Sequence, residues 1–163
     1  MIEQNSPGCD GLHLYLNDHL AGSVTAIEMI DNVIAQHPED RFGKFFRELR
    51  NEIQADQEKL RDLLQKVGAE ESTVRKAGAW LAEKLSRAKF GNAADSVELL
   101  QAVEALVLGI TGKKLLWRAL AAVEHNFSAL QGMDLRELER RADNQLQRVE
   151  TLRIELAREA FRE

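Results

Sequence analysis

Four polar side chains lie on the apolar seams of predicted amphipathic helices, one on each of four helices. These residues are His19, Asp56, Lys113 and Gln145. An imidazole could act as a base or a metal ligand, and a carboxylate and an ammonium could form an ion pair, but all such groups are costly to bury without partners. We therefore expect the four side chains to satisfy one another or to serve a functional site.

The spacing of the apolar residues predicts that two of these charges point into the interior. Asp56 continues the helical face that carries Ile53 and Leu60, and Lys113 continues the face that carries Ile110. The pattern therefore predicts a buried ion pair between Lys113 and Asp56. We expect the remaining hydrogen bonds of this pair to come from either Gln145 or His19.

The composition predicts an all-α protein. Ala, Leu, Glu, Arg and Gln are abundant, and the only prolines are Pro7 and Pro38. The predicted organisation is a single domain, 1–163, with a flexible leader at 1–10 that contains Cys9 as an exposed thiol. Long helices are predicted at 10–36, 38–67 and 95–125 and from 134 almost to the C-terminus, with a shorter helix at 71–90.

The lengths of the predicted links indicate how the helices connect. The links within the first helix pair and within the last pair are short, whereas the link between the pairs is long and contains the helix at 71–90. The two pairs also resemble each other weakly, with Leu49 corresponding to Leu138 and Leu60 to Val149. These features predict two antiparallel pairs joined by a crossover.

On this pattern the chain resembles the ferritin-like family, over roughly 12–161. The resemblance implies an antiparallel four-helix bundle with an extra helix in the crossover. In metal-binding members, two helices each supply a Glu and the other two each supply a Glu-x-x-His pair. Here the two positions that look equivalent to those pairs begin with Ile53 and Ala142 and end with Asp56 and Gln145. In addition, the ammonium of Lys113 on the third long helix would repel a metal cation. We infer a ferritin-like protein whose di-iron centre has been lost.

Two other functions are compatible with the same residues. A divergent iron- or manganese-dependent oxidoreductase would use His19, Glu52, Asp56 and Glu104 as ligands. An anionic-surface binder would use the basic residues of the crossover helix, which are Arg75, Lys76, Lys84, Arg87 and Lys89. Docking of this helix against the apolar helix at 95–125 is the simpler interpretation, because it buries both apolar faces.

Our preferred interpretation is a binding or structural protein without catalytic residues. Aromatic residues such as Trp117 and Phe127 could fill the core or line a pocket for a small apolar ligand. Gly22, Gly109 and Gly112 favour close approach of helices, within one subunit or in a homodimer. The net charge of -5, the mixed charges and the lack of a long apolar run predict a cytoplasmic protein that neither binds nucleic acid nor inserts stably into membranes.

Overall fold

The computed structural model describes residues 7–68 and 96–162, and over these ranges the chain is helical and contains no strand. The long helices are α1 (Pro7–Gln36), α2 (Arg41–Lys66), α3 (Ser96–Ala122) and α4 (Leu135–Ala160). Two short 3₁₀ turns, Glu124–Asn126 and Ser128–Leu130, link α3 to α4. The prediction of an all-α protein is confirmed, whereas the predicted crossover helix at 71–90 lies outside the described residues.

Side-chain caps explain where two of the helices begin. The carboxylate of Asp40 accepts hydrogen bonds from the backbone N–H groups of Phe42 and Gly43, so α2 begins at Arg41 and not at Pro38 as predicted. The carboxylate of Asp134 accepts a hydrogen bond from the backbone N–H of Glu137 and caps α4 at the predicted place.

The first helix begins earlier than the sequence predicts. Because proline has no N–H to leave unpaired in the first turn, Pro7 is an ordinary start for α1, and residues 7–10 of the predicted leader are helical. Cys9 is consequently part of α1 and is 5% exposed, so the prediction of an exposed thiol is wrong. Its Sγ lies 3.6 Å from His13 Nε2.

The turn between α1 and α2 requires a glycine. A Cβ atom at Gly43 would lie 1.7 Å from the backbone carbonyl oxygen of His37, which is far inside van der Waals contact. The same turn is held by a contact of 2.7 Å between His37 Nδ1 and Asp40 Oδ2. The absence of a side chain at Gly43 therefore lets α2 fold back closely on the end of α1.

The apolar side chains form two core clusters, and every long helix contributes to both. One cluster contains Ile30, Phe46, Val103 and Val149, and the other contains Leu16, Leu63, Leu120 and Leu138. Within each cluster, residues from the first half of one helix pack against residues from the second half of its partner, where α1 is the partner of α2 and α3 is the partner of α4. The pairs α1–α2 and α3–α4, which have the most extensive contacts, are therefore antiparallel.

One side of α3, which corresponds to the predicted apolar helix at 95–125, is exposed. Leu108 is 75% exposed, and Val97 and Leu115 are also exposed. Val97 and Leu108 are about three helical turns apart, and Leu108 and Leu115 are about two turns apart, so all three residues lie on one face of the helix. Whether the crossover helix or a second subunit covers this face stays a prediction. No helix in 7–68 or 96–162 has both the length and the apolar character needed to cross a bilayer.

Candidate functional site: a charged centre beside an apolar cavity

Three of the four predicted polar residues meet in the interior. Lys113 Nζ on α3 donates a hydrogen bond to Asp56 Oδ2 on α2 over 2.6 Å, and it also donates to Gln145 Oε1 on α4. Gln145 Nε2 donates to the same Asp56 Oδ2 over 3.1 Å. Asp56 is 1% exposed and Lys113 is 14% exposed. Side chains from three helices thus form a closed hydrogen-bonded triangle.

A fourth group, Arg141, joins this centre and was not predicted. Its Nη2 atom lies 2.9 Å from Asp56 Oδ1. The contact is an ion pair without hydrogen-bond geometry, because Oδ1 accepts no hydrogen bond among the described residues. The sequence carries a signal for Arg141, since it lies four residues before Gln145 and therefore on the same face of α4.

The electrostatics of the centre are unbalanced, because the carboxylate of Asp56 faces two cations, Lys113 and Arg141. Burial lowers the pKa of Lys113 from its ordinary value, and the charge of Arg141 lowers it further. The carboxylate of Asp56 opposes both effects and favours the ammonium form. The partly exposed carboxylate of Glu52 also favours the ammonium form, and Arg141 is itself about one-third exposed.

His19 lies apart from this triangle. Its ring packs edge-to-face against Tyr15, with 4.7 Å between ring centroids, and it makes no hydrogen bond with the described residues. Burial lowers the pKa of His19, and the nearby carboxylate of Asp18 partly opposes that change. Gln145, and not His19, therefore supplies the remaining hydrogen bonds of the ion pair.

A largely apolar cavity of about 350 Å³ lies beside the charged centre, between α1, α2 and α3. Asp56, Lys113 and His19 contribute to its lining. Gly22 and Gly109 also line it, and a Cβ atom built at Gly109 would meet no atom of the described residues within 4 Å. At Gly109, therefore, the missing side chain leaves open space beside the cavity and does not bring two helices together.

The cavity lining includes a buried donor without an acceptor. The indole ring of Trp117 belongs to the core and is 1% exposed, yet no described group accepts a hydrogen bond from its Nε1–H. Buried polar groups without partners are uncommon in folded proteins, and each one calls for an explanation such as a bound ligand or water.

The lining also contains a hydroxyl and an imidazole, but they are not arranged as a nucleophile and its base. Ser23 Oγ donates to the backbone carbonyl of Leu20 over 2.7 Å and accepts from Gln57 Nε2 over 2.9 Å. The hydroxyl proton is thus directed at the helix backbone and not at His19. The arrangement is better suited to holding a ligand than to nucleophilic attack.

The candidate metal ligands His19, Glu52, Asp56 and Glu104 are not gathered into one site. Glu52 accepts a hydrogen bond from Arg148 Nη1 over 2.7 Å, and Glu104 lies 3.5 Å from Arg153 Nη1. In the part of the chain that the structure describes, no three His, Cys, Asp or Glu side chains form a group that could hold a metal ion.

Comparison with known proteins identifies no relative. The chain matches no family model, no curated protein and no solved structure.

Proposed function

We propose that this protein is a ferritin-like four-helix bundle that has lost its metal centre and binds a small, largely apolar molecule in the cavity between α1, α2 and α3. The observation that carries the proposal is the cavity of about 350 Å³ beside the charged centre of Asp56 and Lys113. Bundle interiors are common sites for ligands, and pockets for small molecules begin at about 300 Å³.

The composition of the two core clusters supports a bundle with a crossover. The second half of α2 and the second half of α3 contribute to the same cluster, through Leu63 and Leu120 respectively. The helices α2 and α3 are therefore parallel, and Gly68 and Ser96 lie at opposite ends of the core. The 27 residues between them must join these ends, as in the long crossover of ferritin-like proteins.

The residues at the centre support a lost metal site. Ile53 and Ala142 are buried apolar residues at positions where metal-binding relatives would supply carboxylates. The ammonium of Lys113 lies against the carboxylate of Asp56, so it occupies the place of a cation beside that carboxylate. This combination favours a binding protein over the alternative of an iron- or manganese-dependent oxidoreductase.

Binding of a fluorescent apolar probe, combined with metal analysis, tests this proposal. We expect the purified protein to bind the small fluorescent hydrocarbon naphthalene and to lose that binding when the cavity is filled by Gly109→Leu. Gly109 lies near the middle of the α3 face that lines the cavity. Gly11→Leu is the matched control, because Gly11 is also helical, a built Cβ there would meet no described atom within 4 Å, and it does not line the cavity.

Two results would overturn the proposal. Probe binding that is equally strong in the Gly109→Leu variant would mean that the cavity is not the site. Near-stoichiometric iron or manganese that survives dialysis and is lost with Asp56→Ala would instead establish the oxidoreductase.

A further inference from the structure

We propose that the ligand is a neutral, largely apolar molecule with one hydroxyl group, which donates a hydrogen bond to the imidazole of His19 at the mouth of the cavity. This inference rests on the proposed function, since it names the class of ligand that the same cavity would take. It follows from the position of the His19 ring, from its lack of a hydrogen-bond partner and from the charges of the lining.

The mouth of the cavity lies between α1 and α3. Asp18 on α1 and Leu108 on α3 line the cavity and are solvent-exposed, whereas Ile53 and Leu60 on α2 line it and are buried. The cavity therefore opens on the α1–α3 side and extends inward to α2. A molecule with a single polar group would keep that group at the mouth and place its apolar body toward α2.

The imidazole of His19 lies at this mouth, between Tyr15 and α3. It packs edge-to-face against Tyr15, and its Cε1 atom is 4.0 Å from the position that a Cβ atom at Gly112 would occupy. Gly112 also lines the cavity. Cε1 is bonded to both ring nitrogens and is the atom of the ring nearest to that position, so the edge that carries the nitrogens faces α3.

The nitrogens of His19 favour a ligand that donates a hydrogen bond. Neither nitrogen makes a hydrogen bond with the described residues, and burial lowers the pKa of the ring, which favours its neutral form. A neutral imidazole has one nitrogen that can only accept. The exposed carboxylate of Asp18 at the same mouth is also an acceptor. A hydroxyl group can donate to such acceptors without carrying a charge.

The other polar side chains of the lining favour a ligand without charge. Gln57 donates to Ser23, and Lys113 donates to Asp56, so these groups already have partners. An ionic ligand group would lose its hydration inside the cavity without gaining an unpaired buried counterion among the described lining residues. Asp18 is the remaining charge, and water and salt weaken its field because it is exposed.

The rest of the lining sets the character and size of the ligand body. Ala26, Leu106 and Leu116 are typical of the remaining wall, which is mostly apolar. If each methylene-sized group takes about 30 Å³, as a water molecule does in the liquid, the cavity holds roughly a dozen non-hydrogen atoms. The phenol 4-butylphenol has about this size and one hydroxyl group, and it is neutral near pH 7, so it is a suitable probe.

Calorimetry with three probes of similar size tests the inference. The probes are 4-butylphenol, its isomer 4-propylanisole, which has an ether oxygen and no O–H, and the cation 4-propylbenzylammonium. We expect the phenol to bind about 5-fold more tightly than the ether, which is the net contribution of one ordinary hydrogen bond. The cation should bind more weakly than the phenol, because it would be desolvated beside the ammonium of Lys113.

A variant of His19 shows whether this residue holds the hydroxyl group. His19→Phe keeps an aromatic ring but removes the acceptor nitrogen, so we expect the phenol to lose about 5-fold in affinity and the ether to change by less than about 2-fold. His125→Phe is the matched control, because His125 is exposed and does not line the cavity. Phenol binding should be unchanged in that variant.

The ¹⁵N signals of the imidazole provide a direct readout in the unaltered protein. We expect 4-butylphenol to move the signal of the unprotonated nitrogen of His19 upfield, as a new hydrogen bond to that nitrogen requires. The ether should not produce this change. The spectrum of His19→Phe assigns the signal, because it lacks only the His19 resonances among the four histidines of the chain.

The outcomes separate this inference from the proposed function. If the ether or the cation binds as tightly as the phenol, if His19→Phe leaves the preference for the phenol intact, or if the nitrogen signal does not move, the hydroxyl assignment is wrong while the cavity remains a ligand site. If none of the three probes binds, both proposals fail. If the phenol binds equally well to the Gly109→Leu variant, binding occurs elsewhere and both proposals also fail.

Discussion

The buried ion pair between Asp56 and Lys113 leads to a quantitative prediction about stability. Removing one member of a buried ion pair costs about 3 to 5 kcal/mol, because the remaining charge is left without compensation. After Lys113→Met, Asp56 retains Arg141 at 2.9 Å and the amide of Gln145 at 3.1 Å. We therefore expect this variant to lose about 3 kcal/mol of unfolding free energy, at the lower end of that range.

The reverse substitution should cost more. Asp56→Leu leaves two cations, Lys113 and Arg141, close to each other without the carboxylate between them, and we expect a loss of about 4 to 5 kcal/mol. For a domain of this size, losses of 3 to 5 kcal/mol correspond to a fall in Tm of about 6 to 20 °C. The double variant should lie within about 2 kcal/mol of the parent, because an apolar pair of similar volume can replace a buried ion pair.

Urea unfolding followed by far-ultraviolet circular dichroism measures all four proteins of this double-mutant cycle. Because the two single losses together exceed that of the double variant, we expect a coupling free energy of at least about 5 kcal/mol between the two sites. The matched control is the neighbouring pair Lys114 and Asp143, which is in contact but partly exposed and should couple by less than about 1 kcal/mol. The reasoning is refuted if Asp56→Leu is within about 1 kcal/mol of the parent or if both cycles give the same coupling.

Three further predictions concern pH, backbone and helix capping. Burial lowers the pKa of His19, so the folded state resists protonation of this imidazole. The stability that is present above the ordinary histidine pKa of about 6.5 is therefore lost as the pH falls through the lowered pKa of the folded state. We expect His19→Gln to reduce this loss in thermal unfolding measured from pH 7.5 to 4.5. Gly109→Ala should raise stability by about 0.5 to 1 kcal/mol in urea unfolding, whereas Gly43→Ala should lower it because the new Cβ would collide with a backbone carbonyl. Asp134→Ala should cost about 1 kcal/mol in the same assay, because α4 loses its N-cap.

Each of these predictions has a control and a contradicting result. His125→Gln changes a solvent-exposed histidine, and if it flattens the pH dependence as much as His19→Gln does, burial is not the cause. Equal effects of alanine at Gly109 and Gly43 would contradict the close approach described for the turn. Asp143→Ala removes a carboxylate from the middle of α4, so an equal loss there would show that capping is not what Asp134 contributes.

The sequence identifies several of the interior polar residues, because helical periodicity is a local property. Asp56 and Gln145 interrupt apolar seams, and both are 1% exposed in the fold. The cap at Asp134 was also predictable, since it depends only on the spacing between a carboxylate and an N–H in the first turn. The all-α class follows from the same short-range information.

Other features of the site depend on how the helices are rotated and spaced, which periodicity does not specify. The seam of α1 carries His19, but the rotation and distance of α1 leave its imidazole on the cavity wall and outside the charged triangle. Arg141 joins Asp56 because α4 brings a long, flexible side chain to the edge of the core, where a boundary residue can reach inward.

The sequence by itself determined that this chain forms helices and that charged groups occur on their apolar faces, because these properties depend on residues within a few turns of one another. Only the tertiary structure decided that, within 7–68 and 96–162, no neighbour crowds Gly109 and no group accepts a hydrogen bond from the buried indole of Trp117. Both outcomes depend on the distances between residues of different helices, and the packing of all the side chains together sets those distances.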